Sequence, residues 1–115
     1  MSRYLISFDE GTMTVPEKGL PAVADAARAV VQEAMDAGVW VFGGGLLPPE
    51  TLNVVATDGT VADGPYPERR AYVGGLSILD LPSREAALEW AAKIAVACRC
   101  AQDVREFMPD PMVGN

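Results

Sequence analysis

The stretch that decides the fold is Asp63-Gly64-Pro65-Tyr66, followed by Gly74-Gly75 and the run Leu76-Ser77-Ile78-Leu79. An aspartate before glycine and proline is typical of a turn, because its carboxylate can accept hydrogen bonds from nearby backbone N–H groups. The glycine pair lies near the start of a segment, Tyr72 to Leu81, whose apolar and β-branched residues predict a strand.

Strand and helix patterns lie on both sides of this stretch. Residues 3–8 alternate with a period of two, which predicts a strand. Apolar residues at helical spacing predict one helix that begins near Leu20 and ends at Gly38, where glycine suits a left-handed cap. The same spacing predicts a second helix, capped by Ser83 and with Glu85 in its first turn.

Further strands complete the pattern between the helices. Val39-Trp40-Val41-Phe42 is apolar on both faces, which predicts a central strand. Gly43-Gly44-Gly45 follows it and lets backbone or ligand approach closely. Thr51 to Thr57 predicts a third strand, joined through a tight turn at Asp58-Gly59 to a short return strand, Thr60 to Ala62.

The order of elements ends with a strand from Asp103 to Met108 and reduces to β-α-β-β-α-β when the return strand is discounted or merged. This predicts an α+β fold on the ferredoxin-like plan, an antiparallel sheet with two helices on one face. The other face, to which Tyr4, Trp40 and Phe42 are available, has no cover within the chain. Because an uncovered apolar face indicates an interface, we expect a homodimer whose sheets face each other.

The chain of 115 residues is expected to form one domain over residues 1–108. A flexible tail is expected at residues 109–115, which contain Pro109, Pro111 and Gly114. The whole chain has 9 basic and 16 acidic residues, which give a net charge of −7. This charge disfavours binding to nucleic acid and to anionic membrane surfaces.

The expected location is the cytoplasm. No apolar run approaches the roughly 20 residues of a membrane span. The short apolar alternation in residues 1–8 is followed at once by Asp9 and Glu10, which is too short and too acidic a pattern for a signal peptide. Cys98 and Cys100 would then be reduced thiols, and we expect them to be structural. Their spacing is wrong for a Cys-x-x-Cys redox pair, and no other Cys or His completes a metal site.

Several short segments of the chain occur together in a recognisable combination: Tyr4-Leu5-Ile6, Ala37-Gly38-Val39, Asp63-Gly64-Pro65-Tyr66, Glu68, Gly74-Gly75, residues 86–91 and Val104-Arg105. Over about residues 3 to 108 this combination resembles the YCII-related family, in the branch named for an Asp-Gly-Pro-Phe motif. The resemblance implies a dimeric α/β barrel of two ferredoxin-like subunits, with a cleft between sheet and loops. It also implies a small-molecule or enzymatic role. One relative is a dehydrochlorinase of a chlorinated hydroxyquinol, and members occur beside or fused to sigma-factor-like regulators.

The chain departs from the family pattern in three places. Tyr66 stands where the family motif has Phe, and Glu68-Arg69-Arg70-Ala71 stands where Glu-Thr-Lys-Glu is usual. The wider family is proposed to use a His-Asp pair, but this chain has no histidine. An activity that depends on an imidazole is therefore excluded.

The resemblance and the residue types predict a set of site residues. Asp63 is the candidate general base, or else the first residue of an Asx-turn. Arg105 is a candidate anion binder, or else an exposed or ion-paired strand residue. Arg70 could steer an acidic substrate and Glu68 could be a second carboxylate, unless both are solvated surface. The phenols of Tyr66 and Tyr4 complete the set of candidate substrate-binding groups, although core packing is the default for both. No metal and no cofactor are expected.

Two classes of function follow from these residues. The first is a small lyase- or isomerase-type enzyme that acts on an anionic or phenolic substrate with Asp63 as base. The second is a non-catalytic dimeric module that senses a ligand or accompanies a regulator. A structural dimer whose motif only shapes turns is a third interpretation.

Overall fold

The computed structural model describes residues 1–64 and 71–115. Within them the chain forms six strands and two α-helices, with short 3₁₀ turns between some of these elements. In chain order they are β1 (Ser2–Asp9), α1 (Leu20–Asp36), β2 (Trp40–Gly45), β3 (Asn53–Val55), β4 (Val61–Asp63), β5 (Val73–Leu81), α2 (Arg84–Cys98) and β6 (Asp103–Glu106).

The main sheet has four strands in the order β2-β5-β1-β6, with every neighbouring pair antiparallel. Each helix connects two strands that are separated by a third, which is the ferredoxin-like arrangement. The predicted α+β fold is therefore confirmed. The expectation that β2 is central was wrong, because β2 is an edge strand among the described residues. Both faces of β2 are apolar although only one of its edges is paired.

Both helices begin where the sequence signals predicted, and α1 ends just before the predicted glycine. After α1, Gly38 adopts a φ of 75°, the left-handed conformation that glycine tolerates best. At the start of α2, the Ser83 hydroxyl oxygen accepts a hydrogen bond from the backbone N–H of Ala86 at 3.1 Å. Glu85 lies in the first turn, where its charge opposes the helix dipole favourably.

The core lies between the helices and one face of the sheet. Tyr4 pairs with Leu79 and Ile6 with Ser77 across β1 and β5, so these side chains share the face that the helices cover. Tyr4 and Trp40 were predicted to lie on the uncovered face, and that was wrong: both contribute to the helix-side core. The buried cluster contains Tyr4, Ile6, Ala34, Leu79, Leu81, Ala87 and Ala91.

A β-bulge in β2 explains why Trp40 and Phe42 separate. The pairing of β2 with β5 shifts between these residues, so Trp40 lies opposite Leu79 while Phe42 lies opposite Ile78. Because Leu79 and Ile78 point to opposite faces of β5, Trp40 enters the core and Phe42 stays on the uncovered face, 67% exposed. The prediction for Phe42 is thus confirmed.

The predicted third strand and return strand form a separate hairpin. The third strand is shorter than expected, covering Asn53–Val55 within the predicted Thr51 to Thr57, and it pairs with Val61–Asp63 in a sheet of two strands. Gly59, with a φ of 89°, lies in the connecting turn and donates its N–H to the Ala56 carbonyl. The return strand is therefore present, and it pairs with the third strand instead of joining the main sheet.

The uncovered face of the main sheet carries an ion pair at one end. Arg3 and Asp80 are cross-strand partners, and Arg3 Nε lies 2.9 Å from Asp80 Oδ1 while a second guanidinium nitrogen lies 3.2 Å from Oδ2. The hydrogen bonds from Arg3 lower the pKa of Asp80.

Beyond the sheet, the predicted flexible tail contains a 3₁₀ turn at Pro111–Val113, closed by backbone hydrogen bonds between Asp110 and Asn115. The flexibility of the tail stays a prediction.

The cap of α2 provides a test of this fold. Ser83→Ala removes the acceptor for the Ala86 N–H, so we expect the free energy of unfolding to fall by about 1 kcal/mol. Urea denaturation followed by circular dichroism measures the change. Ser83→Asp keeps an acceptor at the same position and should retain the stability of the parent protein. Equal destabilisation by both variants would contradict the assigned cap.

Candidate functional site

A cleft of about 720 Å³ lies between α1 and the half of the sheet formed by β2 and β5. Most of its lining is apolar, and none of the lining residues that the structure describes carries a charge. The lining comes from β1, α1, β2, β5, α2 and two connections: Phe8, Met13, Leu20, Val23, Ala24, Ala27, Val31, Met35, Trp40, Gly43, Gly44, Gly45, Leu76, Ser77, Ile94, Cys98 and Gln102.

Small residues contribute to both walls of the cleft. On α1 the wall includes Ala24 and Ala27, and on the sheet it includes residues 43–45 and Ser77. Gly45 lies opposite Gly75 and faces the helices, whereas Gly44 lies opposite Leu76 and contributes only its backbone to the cleft. A Cβ added at Gly45 would reach only a backbone oxygen at 4.0 Å, so packing among the described residues does not require glycine there and the missing side chain leaves open space.

Two aromatic rings lie against glycine backbone on the sheet side of the cleft. A Cβ added at Gly75 would lie 2.6 Å from Cε1 and Cζ of Phe8, its cross-strand partner. A Cβ added at Gly43 would lie 2.7 Å from Cη2 of Trp40 and 2.6 Å from the Leu76 carbonyl oxygen. Glycine is thus required at both positions, because any side chain there would displace a ring that lines the cleft.

A smaller pocket of about 60 Å³ adjoins the cleft on the core side. Trp40, Ser77 and Cys98 line both spaces, while Trp90 and Leu79 line only the smaller one. The two spaces therefore share a wall, and a ligand in the cleft would meet the side chains that seal the core.

The polar groups of the cleft are few and uncharged. Burial raises the pKa of the Cys98 thiol, and the neighbouring Cys100 raises it further, so Cys98 stays protonated at neutral pH. The Gln102 side-chain amide lies 3.4 Å from the Cys100 carbonyl oxygen, to which it donates. Together with the Ser77 hydroxyl, these groups offer hydrogen bonds to a neutral ligand and supply neither a base nor an activated nucleophile.

The structure places Asp63 away from this cleft. It is the last residue of β4, it is exposed, and it does not line the cleft. One carboxylate oxygen accepts a hydrogen bond of 2.9 Å from the Asn53 side-chain amide, its cross-strand partner in the hairpin. Its role as a general base stays a prediction.

Arg105 and Tyr4 lie in two further environments. Arg105 is exposed on β6 opposite Leu5, which places it on the uncovered face of the main sheet rather than beside Asp63 on β4. Tyr4 is 3% exposed and donates its hydroxyl to a carboxylate oxygen of Glu106 at 3.2 Å. Burial and this hydrogen bond raise the pKa of the phenol, so Tyr4 stays neutral and serves as core packing.

The remaining predicted residues, Tyr66, Glu68 and Arg70, lie outside the described residues. Of the predicted site set, the structure therefore describes Asp63, Arg105 and Tyr4, and it does not bring them together in one cavity. Sequence reasoning missed the helix-side cleft, whose walls are alanines, glycines and apolar residues without a chemical signature. The one available signal was the glycine run at residues 43–45, noted as a place where a ligand could approach the backbone.

Comparison with known proteins gives a family and no named relative. The YCII-related domain model matches residues 5–107, which is most of the chain. No curated protein matches the sequence significantly. None of the described helices is long and apolar enough to span a membrane. The family match covers most of the chain, and the ferredoxin-like topology is consistent with it. The chain therefore belongs to the YCII-related domain family.

Proposed function

We propose that this protein is a dimeric small-molecule-binding module whose ligand occupies the cleft between α1 and the sheet. The observation that carries the proposal is the cleft itself, about 720 Å³ in volume and lined by uncharged, mostly apolar residues. Its size falls within the range of about 300 to 1,000 Å³ that is usual for small-molecule sites.

The chemistry of the lining favours binding over catalysis. General acid–base catalysis needs a titratable group within hydrogen-bond reach of the substrate, with a pKa near the working pH. The described lining offers the protonated thiol of Cys98, the hydroxyl of Ser77 and the amide of Gln102. These groups can orient a ligand by hydrogen bonding. The geometry therefore supports best the second function expected from the sequence, a ligand-sensing module.

Narrowing the cleft tests the proposal. Ala27 on α1 lines the cleft and is half-buried, so Ala27→Leu would place three further carbon atoms in the open space. We expect the parent protein to bind the uncharged fluorescent probe N-phenyl-1-naphthylamine, and Ala27→Leu to weaken that binding by about tenfold, since the added atoms displace the probe. Fluorescence titration measures both affinities.

The matched control for this test is Ala22→Leu. Ala22 lies on the same helix, is exposed, and does not line the cleft. This variant should bind the probe as the parent does, and circular dichroism should show that both variants keep their helix content. Unchanged affinity in Ala27→Leu, or equal losses in the two variants, would contradict a ligand site in the cleft.

The dimer is the second part of the proposal, and the uncovered sheet face supports it. Leu5, Ile78 and Phe42 share that face by register, and Phe42 is the most exposed of them. The hairpin adds a second argument: Val55 and Val61 are cross-strand partners, 66% and 64% exposed, on a two-stranded sheet. Because an isolated two-stranded hairpin is marginally stable in water, a second subunit would be expected to support it.

A charge on the uncovered face tests the dimer. We expect the parent protein to sediment at twice the mass of one chain, and Phe42→Asp to raise the dimer dissociation constant by about tenfold or more, because a carboxylate would be buried without a partner. The control is Val96→Asp on α2, which is 80% exposed on the helix side and should leave the dimer intact. A parent protein that sediments as a monomer would contradict the proposal.

The enzymatic candidate is a lyase or isomerase of the branch named for the Asp-Gly-Pro-Phe motif, with Asp63 as base. One observation favours it: the Asp63 carboxylate is exposed, and the hydrogen bond from Asn53 engages only one of its oxygens. Arg70 would then hold an anionic substrate, since Arg105 lies on the main sheet and Asp63 on the hairpin. Asp63→Asn keeps the size and the hairpin contact, so we expect it to abolish any turnover while the fold is retained. Activity that survives this substitution would rule out Asp63 as the base.

A further inference from the structure

We propose that the cleft is selective for a flat, uncharged aromatic molecule that stacks on Phe8 and Trp40. This inference rests on the proposed function and adds the chemical class of the ligand. It depends on three features of the cleft: the placement of the two rings, the absence of charge in its described lining, and the adaptable side chains of its helix wall.

The placement of the rings is the first argument. Phe8 lies against Gly75 and Trp40 against Gly43, so each ring is held close to the sheet by the absence of a side chain beneath it. Both rings line the cleft. Rings held back in this way leave the volume above them open and present aromatic surface to it. Aromatic rings pair favourably in offset-stacked or edge-to-face arrangements, which gives an aromatic ligand an advantage over a saturated one of the same shape.

The charge of the lining is the second argument. No lining residue that the structure describes is charged, and Cys98 is held in its neutral thiol form by burial. A ligand that carried a carboxylate or an ammonium group would lose its hydration without gaining an ionic partner, which is costly. The Ser77 hydroxyl and the Gln102 amide can instead hydrogen-bond to one neutral polar group, such as a hydroxyl. Hence we infer an uncharged ligand with a single polar end.

The helix wall is the third argument. Met35 on α1 and Met13 in the preceding connection line the cleft opposite the sheet. The thioether of methionine is flexible and polarisable, and it makes favourable contacts with aromatic rings. An aromatic ligand would therefore be held between ring surfaces on the sheet side and adaptable sulfur-containing side chains on the helix side.

Three probes of similar size separate the alternatives. We would titrate the full chain with 2-naphthol, with its saturated counterpart decahydro-2-naphthol, and with 2-naphthoate, using isothermal calorimetry. We expect 2-naphthol to bind about tenfold tighter than either of the others, because only it is both aromatic and uncharged. In Phe8→Leu this preference for the aromatic over the saturated probe should fall to about twofold. Phe42→Leu, which removes an aromatic ring from the other face of the sheet, should keep the preference of the parent.

The outcomes also distinguish this inference from the proposed function. Equal binding of 2-naphthol and its saturated counterpart, or tighter binding of 2-naphthoate, would overturn the aromatic, uncharged class while a ligand site in the cleft remained. A preference that survives in Phe8→Leu would overturn stacking on Phe8 as its cause. If none of the three probes binds while the parent still binds N-phenyl-1-naphthylamine, this inference fails and the ligand site remains. If the parent does not bind N-phenyl-1-naphthylamine, or if Ala27→Leu does not weaken that binding, the proposed function fails together with this inference.

Discussion

The register between β1 and β5 is the constraint on which the rest of the structure depends. It pairs Tyr4 with Leu79 and Phe8 with Gly75, and so directs one set of side chains toward the helices and the other toward the uncovered face. A shift of one residue would exchange the two faces and expose Ile6, which is now 1% exposed. The same register brings Phe8 over a glycine, and the aromatic surface of the cleft depends on that contact.

Much of this fold follows from local signals in the sequence. The alternation in β1, the glycine after α1 and the cap at Ser83 each act over a few residues, and each appears in the structure as predicted. The assignment of faces did not follow, because alternation separates two sets of side chains without showing which set the helices cover. The bulge between Trp40 and Phe42 adds a residue to β2 and sends these two rings to opposite faces, which the sequence pattern does not encode.

The candidate site was harder to predict than the fold, for a physical reason. Sequence motifs draw attention to residues with charged or reactive side chains, such as Asp63 and Arg105. The structure places these two residues on two different sheets. The cleft is lined in part by small residues, Ala27 and the glycines at 43–45. These residues have small side chains or none, and they have no reactive group that a motif search would single out. Small residues become a site only when two elements bring them face to face, and that juxtaposition depends on the tertiary structure.

The most direct test of a ligand site in the helix-side cleft is a crystal structure of the protein grown with 2-naphthol. We expect density for the ring system between α1 and the sheet, in contact with Phe8 and Trp40 and with its hydroxyl directed toward Ser77 or Gln102. A cleft closed by α1 packing directly on the sheet, or density bound instead beside Asp63 on the hairpin, would contradict it.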